Sequence, residues 1–372
     1  MGRRLAAMLL LGCLLAACAP APAAPAGSAA APTRPPATAA APAAQVAAPT
    51  AIPPTPAARR EPLHLDVGYV PSLVYAPLYV AYEKGYFRER GLDLTLEPGG
   101  GSPTAQVGAG NLQLAGIGLD AAYLNSRARG IDLRFVLPVS SVDAANGSST
   151  PLVVRKELAD SGAVRGVADL RGRKVAQLGS AVGITYYLLS LALETGGLGI
   201  SDVDLVRGLN FPDMPQALAQ GAIDAALLAE PFVTLSEDRG IVAILSDRHD
   251  VGVQVNGMVV NAAFAREHPD AVVDFAVAYL RAVRDLYGDG RNTPEHLAIV
   301  EQYTRVPAAT VRRTRPSYTD PNGEFLLDSL MAQQRFFFAQ TPLELPEPLP
   351  ADQLVDPTPA RRAVELLGPF RP

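Results

Sequence analysis

From residue 63 onward the apolar positions of the chain switch repeatedly between a period of two and a period near 3.6. Leu63, Leu65 and Val67 alternate with polar neighbours in "LHLDVGYV" and then meet Pro71, which predicts a strand ending in a loop. Leu78, Tyr79, Tyr82, Tyr86 and Phe87 follow at helical spacing, predicting a helix over residues 76 to 90 that stops at Gly91. The segment "LDLTLEP" then reads as a second strand. Strand, helix and strand in so short a span make a βαβ unit with a right-handed crossover and a parallel pairing.

The alternation continues. "TAQVGAGNLQLAGIGLDAAYLNSRARGIDLRFVLPV" predicts a short helix, a strand over 112 to 117, a helix over 121 to 129 and a strand over 132 to 139. After a Ser/Asn/Gly loop at 140 to 150, "PLVVRK" opens a second series. It contains the strands "KVAQLG", "VDLVRG" and "IDAALLAEP" and helices over 182 to 196 and in "DMPQALAQG". The strand "GMVVNAAF" precedes an amphipathic helix opened by Pro269 and Asp270, whose Val272, Phe275, Ala276, Tyr279, Leu280, Val283, Leu286 and Tyr287 share a face before Gly288. From Thr293 the chain reads as helical and proline-broken, packing over the first half. The fold class is therefore α/β, with strands and helices alternating throughout.

The first 60 residues have a different character. Arg3 and Arg4 precede the apolar run 5 to 17, too short to span a bilayer and read as a signal peptide over residues 1–17. The run closes on Leu15-Ala16-Ala17-Cys18, which resembles the lipobox of bacterial lipoproteins, so Cys18 is the expected lipidation site. Residues 19 to 58 are nearly all Ala, Pro, Thr and Gly with Arg34 as their only charge, a composition that buries no core; residues 18–60 read as a lipidated tether. The expected location is extracytoplasmic, with the membrane reached through the lipid alone.

Charge and cysteine count narrow the chemistry. A net charge of -5 gives no basic footprint for nucleic acid. The cysteines are Cys13, inside the signal, and Cys18, so the folded part has neither thiol nor disulfide. Its histidines, His64, His249, His268 and His296, form no HExxH and no helically spaced pair, and no metal or cofactor is expected. "SDRHD", residues 246 to 250, reads as a charged surface loop rather than a metal site, because its acidic residues and His249 are sequential neighbours.

In open α/β sheets ligands sit beyond the carboxyl ends of strands. The loop after the first strand, "GYVPSLVYAP", offers Tyr69, Ser72 and Tyr75, with core packing the alternative for both tyrosines. "GLDAAYLN" puts Asp120 at a helix start, where it either caps or meets ligand. "LGSAVGITYY" brings Ser180, Ala181 and Tyr186 to another helix start, whose unpaired N–H groups hold polar oxygens. "LLAEPF" ends a buried strand on Glu230 and Phe232, and a carboxylate so placed has a ligand-facing or lobe-linking role, with a surface ion pair the alternative. Phe211 completes the candidate set.

"GYVPSLVYAPLYVAYEKGYFRERGLDLTLEPGG", "GAGNLQLAGIG", "VADLRGRKVAQLGSA", "FPDMPQALAQGAIDAALLAEPF" and "REHPDAVVDFAVAYLRAVRD" resemble the SsuA/THI5-like (NMT1-type) solute-binding proteins of ABC importers. The resemblance spans residues 63 to 303. It implies a two-lobed periplasmic binding protein type II fold, two sheets joined by two crossover strands, with residues 61–148 and 250–372 in lobe 1 and 149–249 in lobe 2. It implies a monomer that closes on a small molecule and delivers it to a permease and its ATPase. Family ligands include sulfonates such as taurine, nitrate or bicarbonate, and heteroaromatic vitamin precursors. The loops named above carry carboxylates but no arginine or lysine, so they lean toward a ligand with an amine or ring N–H; an aminosulfonate and a flat heteroaromatic ring fit about equally. Two rivals share the module: a ligand sensor for a signalling partner, and the yeast-type pyrimidine synthases, which carry a cysteine cluster that this chain lacks.

Overall fold

The computed structural model describes residues 61–99, 102–179 and 182–371. The signal, Cys18, the tether, Ser180 and Ala181 lie outside the described residues.

Two five-stranded mixed sheets carry the fold. The first contains β1 (Leu63–Tyr69), β2 (Leu92–Pro98), β3 (Leu114–Ile117), β4 (Leu133–Ser141) and β10 (Gln254–Asn261), in the order β2-β1-β3-β10-β4. The second contains β5 (Leu152–Arg155), β6 (Lys174–Leu178), β7 (Asp204–Leu209), β8 (Ala225–Leu227) and β9 (Val242–Ser246), in the order β7-β6-β8-β5-β9. β1 runs parallel to β2 in unbroken register from Leu63↔Leu92 to Tyr69↔Pro98. β10 is antiparallel to β3 and β4, and β5 is antiparallel to β8 and β9. Each lobe thus receives one strand entering from the other, which makes both sheets mixed.

The alternation in β1 has the consequence the sequence predicts: Leu65, Val67 and Tyr69 face a core shared with Leu78 and Tyr79 of the helix Ala76–Glu83 and with Phe275 and Tyr279 of Pro269–Asp285. The expected long helix is broken at Gly85, whose φ of 75° lies in the left-handed region, and a short turn Tyr86–Glu89 follows. On its other face the first sheet packs Tyr123 and Phe135 into a core that continues into lobe 2 through Val175, Leu188 and Leu189. The expected strand over 257 to 264 starts earlier and turns into the helix Ala262–Glu267, capped by the Asn261 side chain.

Two further findings depart from the expected elements. β9 lies in "IVAILS", a short apolar run directly after a helix and Gly240, where length and flanks distinguish strand from helix poorly. The C-terminal part does not pack over lobe 1 alone: in the helix Leu327–Gln340, Phe336 meets Tyr187 of lobe 2 edge-on at 5.2 Å, while Gln333 donates to the Gln254 carbonyl in β10 at 2.8 Å.

Residues 142–151 and 247–253 connect the lobes. They are stitched to one another by Val142 N–H to Val253 O (3.1 Å), Gly252 N–H to Val142 O (2.8 Å) and Ser148 N–H to Asp247 O (2.7 Å). Among the described residues no helix is long and apolar enough to cross a membrane.

Candidate functional site

The carboxyl edges of the two sheets face each other, because the loops that leave β3 and β6 are in contact. Ala121 N–H approaches the Val182 carbonyl at 3.5 Å, and a methyl group on Gly118 would lie 2.8 Å from Ile184 Cγ2 and 3.1 Å from the Val255 carbonyl oxygen. Only a residue without a side chain permits that approach. A Cβ on Gly183 would stand 3.6 Å from Asp120 Cβ, so Asp120 lies at this junction.

Asp120 caps the helix Ala121–Ala128 by accepting from Tyr123 N–H at 2.7 Å. Burial pushes its carboxyl up from the usual aspartate range, and the backbone N–H groups of Tyr123 and Ala122 pull it back. The cap accounts for one oxygen's bond and leaves capacity on the carboxylate for a further donor.

After β1, Tyr69, Tyr75 and Tyr79 form an edge-to-face cluster, the Tyr69 ring centroid lying 6.0 Å from that of Tyr75 and 5.5 Å from that of Tyr79. The Tyr75 hydroxyl is consumed by the fold: it donates to the Gly116 carbonyl at 2.8 Å inside the core, and burial raises its pKa. Tyr79 pins the next loop, its hydroxyl receiving the Ser72 N–H at 3.2 Å and donating to the Ser72 carbonyl at 3.1 Å. Ser72 therefore has a fixed backbone and a hydroxyl that makes no capping bond.

In lobe 2, Tyr186 lies under the Arg207 guanidinium at 5.2 Å and beside the Phe336 ring at 5.8 Å, which places it in an aromatic seam with the C-terminal part. Phe211 and Phe232 are partly buried against the core formed by Met214, Leu218 and Val233. Glu230 is buried and linked outward: Oε2 accepts from Thr234 N–H (3.2 Å) and Thr234 Oγ1 (2.8 Å), and Oε1 from Arg315 N–H (3.2 Å) and Arg315 Nη1 (3.1 Å). Its partners are those of a buried link between halves, and with its side chain 3% exposed it is not a surface ion pair.

Two polar groups escape sequence reasoning. Gln177, fully buried in β6, accepts from Thr185 Oγ1 at 2.9 Å, while its Nε2 has no hydrogen-bond partner among the described residues. A glutamine inside the apolar run "KVAQLG" is the available signal. Arg315 escapes because it sits in "RTRPSY", 85 residues from Glu230, with no periodicity to direct attention to it.

"SDRHD" reaches the surface at Arg248 but turns inward at His249 and Asp250. It forms part of the connection between lobes, with the His249 and Asp250 side chains 0 % and 1 % exposed. Asp250 Oδ2 accepts from Ser148 Oγ at 2.6 Å across the two connecting segments, and His249 Nδ1 meets Ser246 Oγ at 3.1 Å. His249 Nε2 and Asp250 Oδ1 have no hydrogen-bond partner among the described residues. Burial drives the two pKa values in opposite directions, Asp250 up to about 6 and His249 down to about 4. Among the described residues no group of three or more His, Cys, Asp and Glu could hold a metal ion.

A cavity of about 510 Å³ opens beside the connection, between Leu73, Asp143, Arg291 and Arg315, and one of about 1110 Å³ lies at the opposite end of the first sheet against Asp132, Arg134 and Arg361. Neither is lined by residues of the second sheet, so neither is the space between lobes.

The model of the family described as NMT1/THI5 like matches residues 72–292. The chain belongs to this family. The riboflavin-binding protein RibY of Chloroflexus aurantiacus is 26% identical over 231 residues, covering 59% of this chain and 61% of that protein. An enzyme also matches: 4-amino-5-hydroxymethyl-2-methylpyrimidine phosphate synthase of Aspergillus parasiticus is 28% identical over 225 residues, covering 56% of this chain and 61% of the synthase. This chain thus spans about three fifths of the length of either relative. Among solved structures, the alkanesulfonate-binding protein SsuA from Xanthomonas axonopodis pv. citri, bound to MOPS, superposes with a TM-score of 0.62 at 22% identity, covering 81% of this chain and 98% of that one. The likeness establishes the two-lobed periplasmic binding protein fold for this family member.

Proposed function

We propose that this chain is an extracytoplasmic solute-binding lipoprotein, anchored through Cys18, that captures a small molecule between its lobes and delivers it to an ABC importer. The observation that carries the reading is the meeting of the β3 and β6 loops at Gly118, Asp120 and Ile184: the carboxyl ends of two strands from different sheets come together there, and the chain crosses between the sheets at two stitched segments. That arrangement closes around a ligand touching both sides and reopens without chemistry. The names of relatives that bind riboflavin and alkanesulfonate favour the same role. The cysteine content of the chain, Cys13 and Cys18, speaks against the synthase reading.

The residues we assign to the ligand are Tyr69, Ser72, Asp120, Ser180, Ala181, Phe211 and Phe232, with Gln177 as a further donor at the lobe 2 side. Tyr75, Tyr186 and Glu230 hold the walls. The aspartate and the orphan amide suit a solute with both a donor and an acceptor, which keeps an aminosulfonate and a heteroaromatic ring as the two leading classes.

A thermal-shift screen against taurine, alkanesulfonates, nitrate, aminopyrimidines and riboflavin tests the assignment. A true ligand at a hundredfold excess over Kd stabilises by about 2.7 kcal/mol and raises Tm accordingly. The compound must be recovered unaltered; conversion of any of them by the purified protein refutes the binding-protein role. Globomycin should leave an uncleaved precursor in cells, and normal processing would refute lipidation at Cys18.

A further inference from the structure

The two covalent connections are accompanied by a third, non-covalent one. Residues 313–319 belong to the C-terminal part and are fixed to lobe 1 at both ends. At one end Tyr318 and Ser141 exchange backbone hydrogen bonds of 2.7 and 3.1 Å, and Thr319 Oγ1 donates to the Val139 carbonyl at 2.5 Å, which extends β4 by one bridge. At the other end Arg291 Nη2 donates to the carbonyls of Val311 (3.3 Å) and Thr314 (3.2 Å). Between these anchors the segment touches lobe 2. Arg315 meets Glu230 through both its backbone N–H and its guanidinium and stands 3.5 Å from Glu237; Arg313 forks onto Asp238 at 2.8 and 2.5 Å; Ser317 Oγ donates to Ser149 Oγ at 3.1 Å.

The two sides of this segment differ in chemistry. Its hold on lobe 1 combines the Ser141–Tyr318 backbone pair, which no side-chain change removes, with bonds to backbone carbonyls from the Thr319 hydroxyl and the Arg291 guanidinium. Its hold on lobe 2 is a set of ion pairs that ranges from exposed, with Arg313 58% and Asp238 38% accessible, to buried, with Glu230 3% accessible. Separation of the lobes exposes Glu230 to water, which can replace its arginine donors, whereas the strand bridge to β4 has no such substitute. A contact of this kind parts on one side only.

We propose that residues 313–319 form a releasable third strand of the hinge, with Arg315 and Arg313 as positioning residues whose pairing to Glu230, Glu237 and Asp238 sets how far the ligand-free lobes stand apart. This rests on the solute-binding reading for its consequence, since a change in the ligand-free balance changes apparent affinity by the fraction of molecules competent to bind. The geometry itself is independent of any ligand.

The test uses ligand-free protein, so that its failure is separate from a failure of the solute screen. In Arg315→Ala the amides at positions 315 and 230 should exchange hydrogen at least about tenfold faster, because removal of one partner strands a buried carboxylate. The Tyr318 amide should keep its rate, and the radius of gyration from solution scattering should rise. Arg313→Glu, on the exposed side where the fold is not at risk, should shift both readouts in the same direction by less, and Arg313→Glu combined with Asp238→Arg should restore them. A purely structural role would slow or speed exchange at Tyr318 as well and would not be rescued by the charge swap. Unchanged exchange and unchanged radius in both Arg315→Ala and Arg313→Glu overturn the proposal.

Discussion

His249 and Asp250 make a prediction that no exposed histidine–aspartate neighbour would make. Both side chains are buried in the connection between lobes, their ring and carboxyl are 3.9 Å apart at closest approach, and burial holds Asp250 up at about 6 and His249 down at about 4. At pH 5 the folded protein therefore carries a protonated Asp250 and a neutral His249, one proton on the pair. The unfolded chain, with aspartate near 3.8 and histidine near 6.5, carries an ionised aspartate and a protonated histidine, again one proton. Equal proton counts give no pH slope, so the pair is silent in the parent between about pH 4 and 6. Single substitutions unmask it. The raised Asp250 contributes stability below about pH 4 that is lost as pH rises through 6; the depressed His249 contributes stability above about pH 6.5 that is lost as pH falls through 4. At about 1.4 kcal/mol per pH unit for one proton, each contribution approaches about 3 kcal/mol across its window. Relative to the parent, His249→Gln should thus lose up to about 3 kcal/mol as pH rises from 4 to 6.5, and Asp250→Asn should gain a similar amount from 4 to 6. Urea unfolding followed by far-ultraviolet circular dichroism at half-unit pH steps measures both, and the use of differences removes the slope of every other carboxylate. Two difference curves of the same sign, or two flat ones, would refute the burial and the directions drawn from it.

Asp120→Ala should destabilise by about 1 kcal/mol through loss of the helix cap, whereas Asp120→Asn keeps the acceptor and should leave the urea midpoint unchanged; if Asp120→Asn also leaves the affinity of a hit from the solute screen intact, the carboxylate charge plays no part in binding. Gly118→Ala places a methyl group 2.8 Å from Ile184 Cγ2 and should push the lobes apart, seen as a larger radius of gyration and about 1–3 kcal/mol of destabilisation. Removing the partner side chain in the same molecule with Ile184→Gly, which takes away both Cγ2 and the Cβ that would stand 3.0 Å off, should reverse most of it, and no relief would mean that the Val255 carbonyl, 3.1 Å away, is the obstacle.

What can be read in advance follows the distance over which each signal acts. The period-two run at Leu65, Val67 and Tyr69 and the 3.6-period face of Val272, Phe275, Ala276 and Tyr279 are local patterns with one way to be satisfied, and they form one core. Asp120 is legible as a cap because its partner is three residues away. The tyrosines are legible as ring positions, yet nothing near Tyr75 in sequence announces that its hydroxyl is consumed by Gly116, 41 residues on. "SDRHD" misleads for the same reason in reverse: a run of polar letters describes a surface, and only Ser148, from the other connecting segment and 102 residues away, supplies the hydroxyl that lets Asp250 be buried. Glu230 is the clearest case. A carboxylate ending a buried strand must have a partner, since an unpaired buried charge is too costly to keep. That argument establishes the need without naming the supplier, because Arg315 reaches it from a proline-containing segment whose conformation depends on β4 already being in place. The contacts that tie the two lobes together here thus join residues 85 and 102 positions apart, beyond the reach of any local pattern, and the joint between lobes is where a single sequence says least.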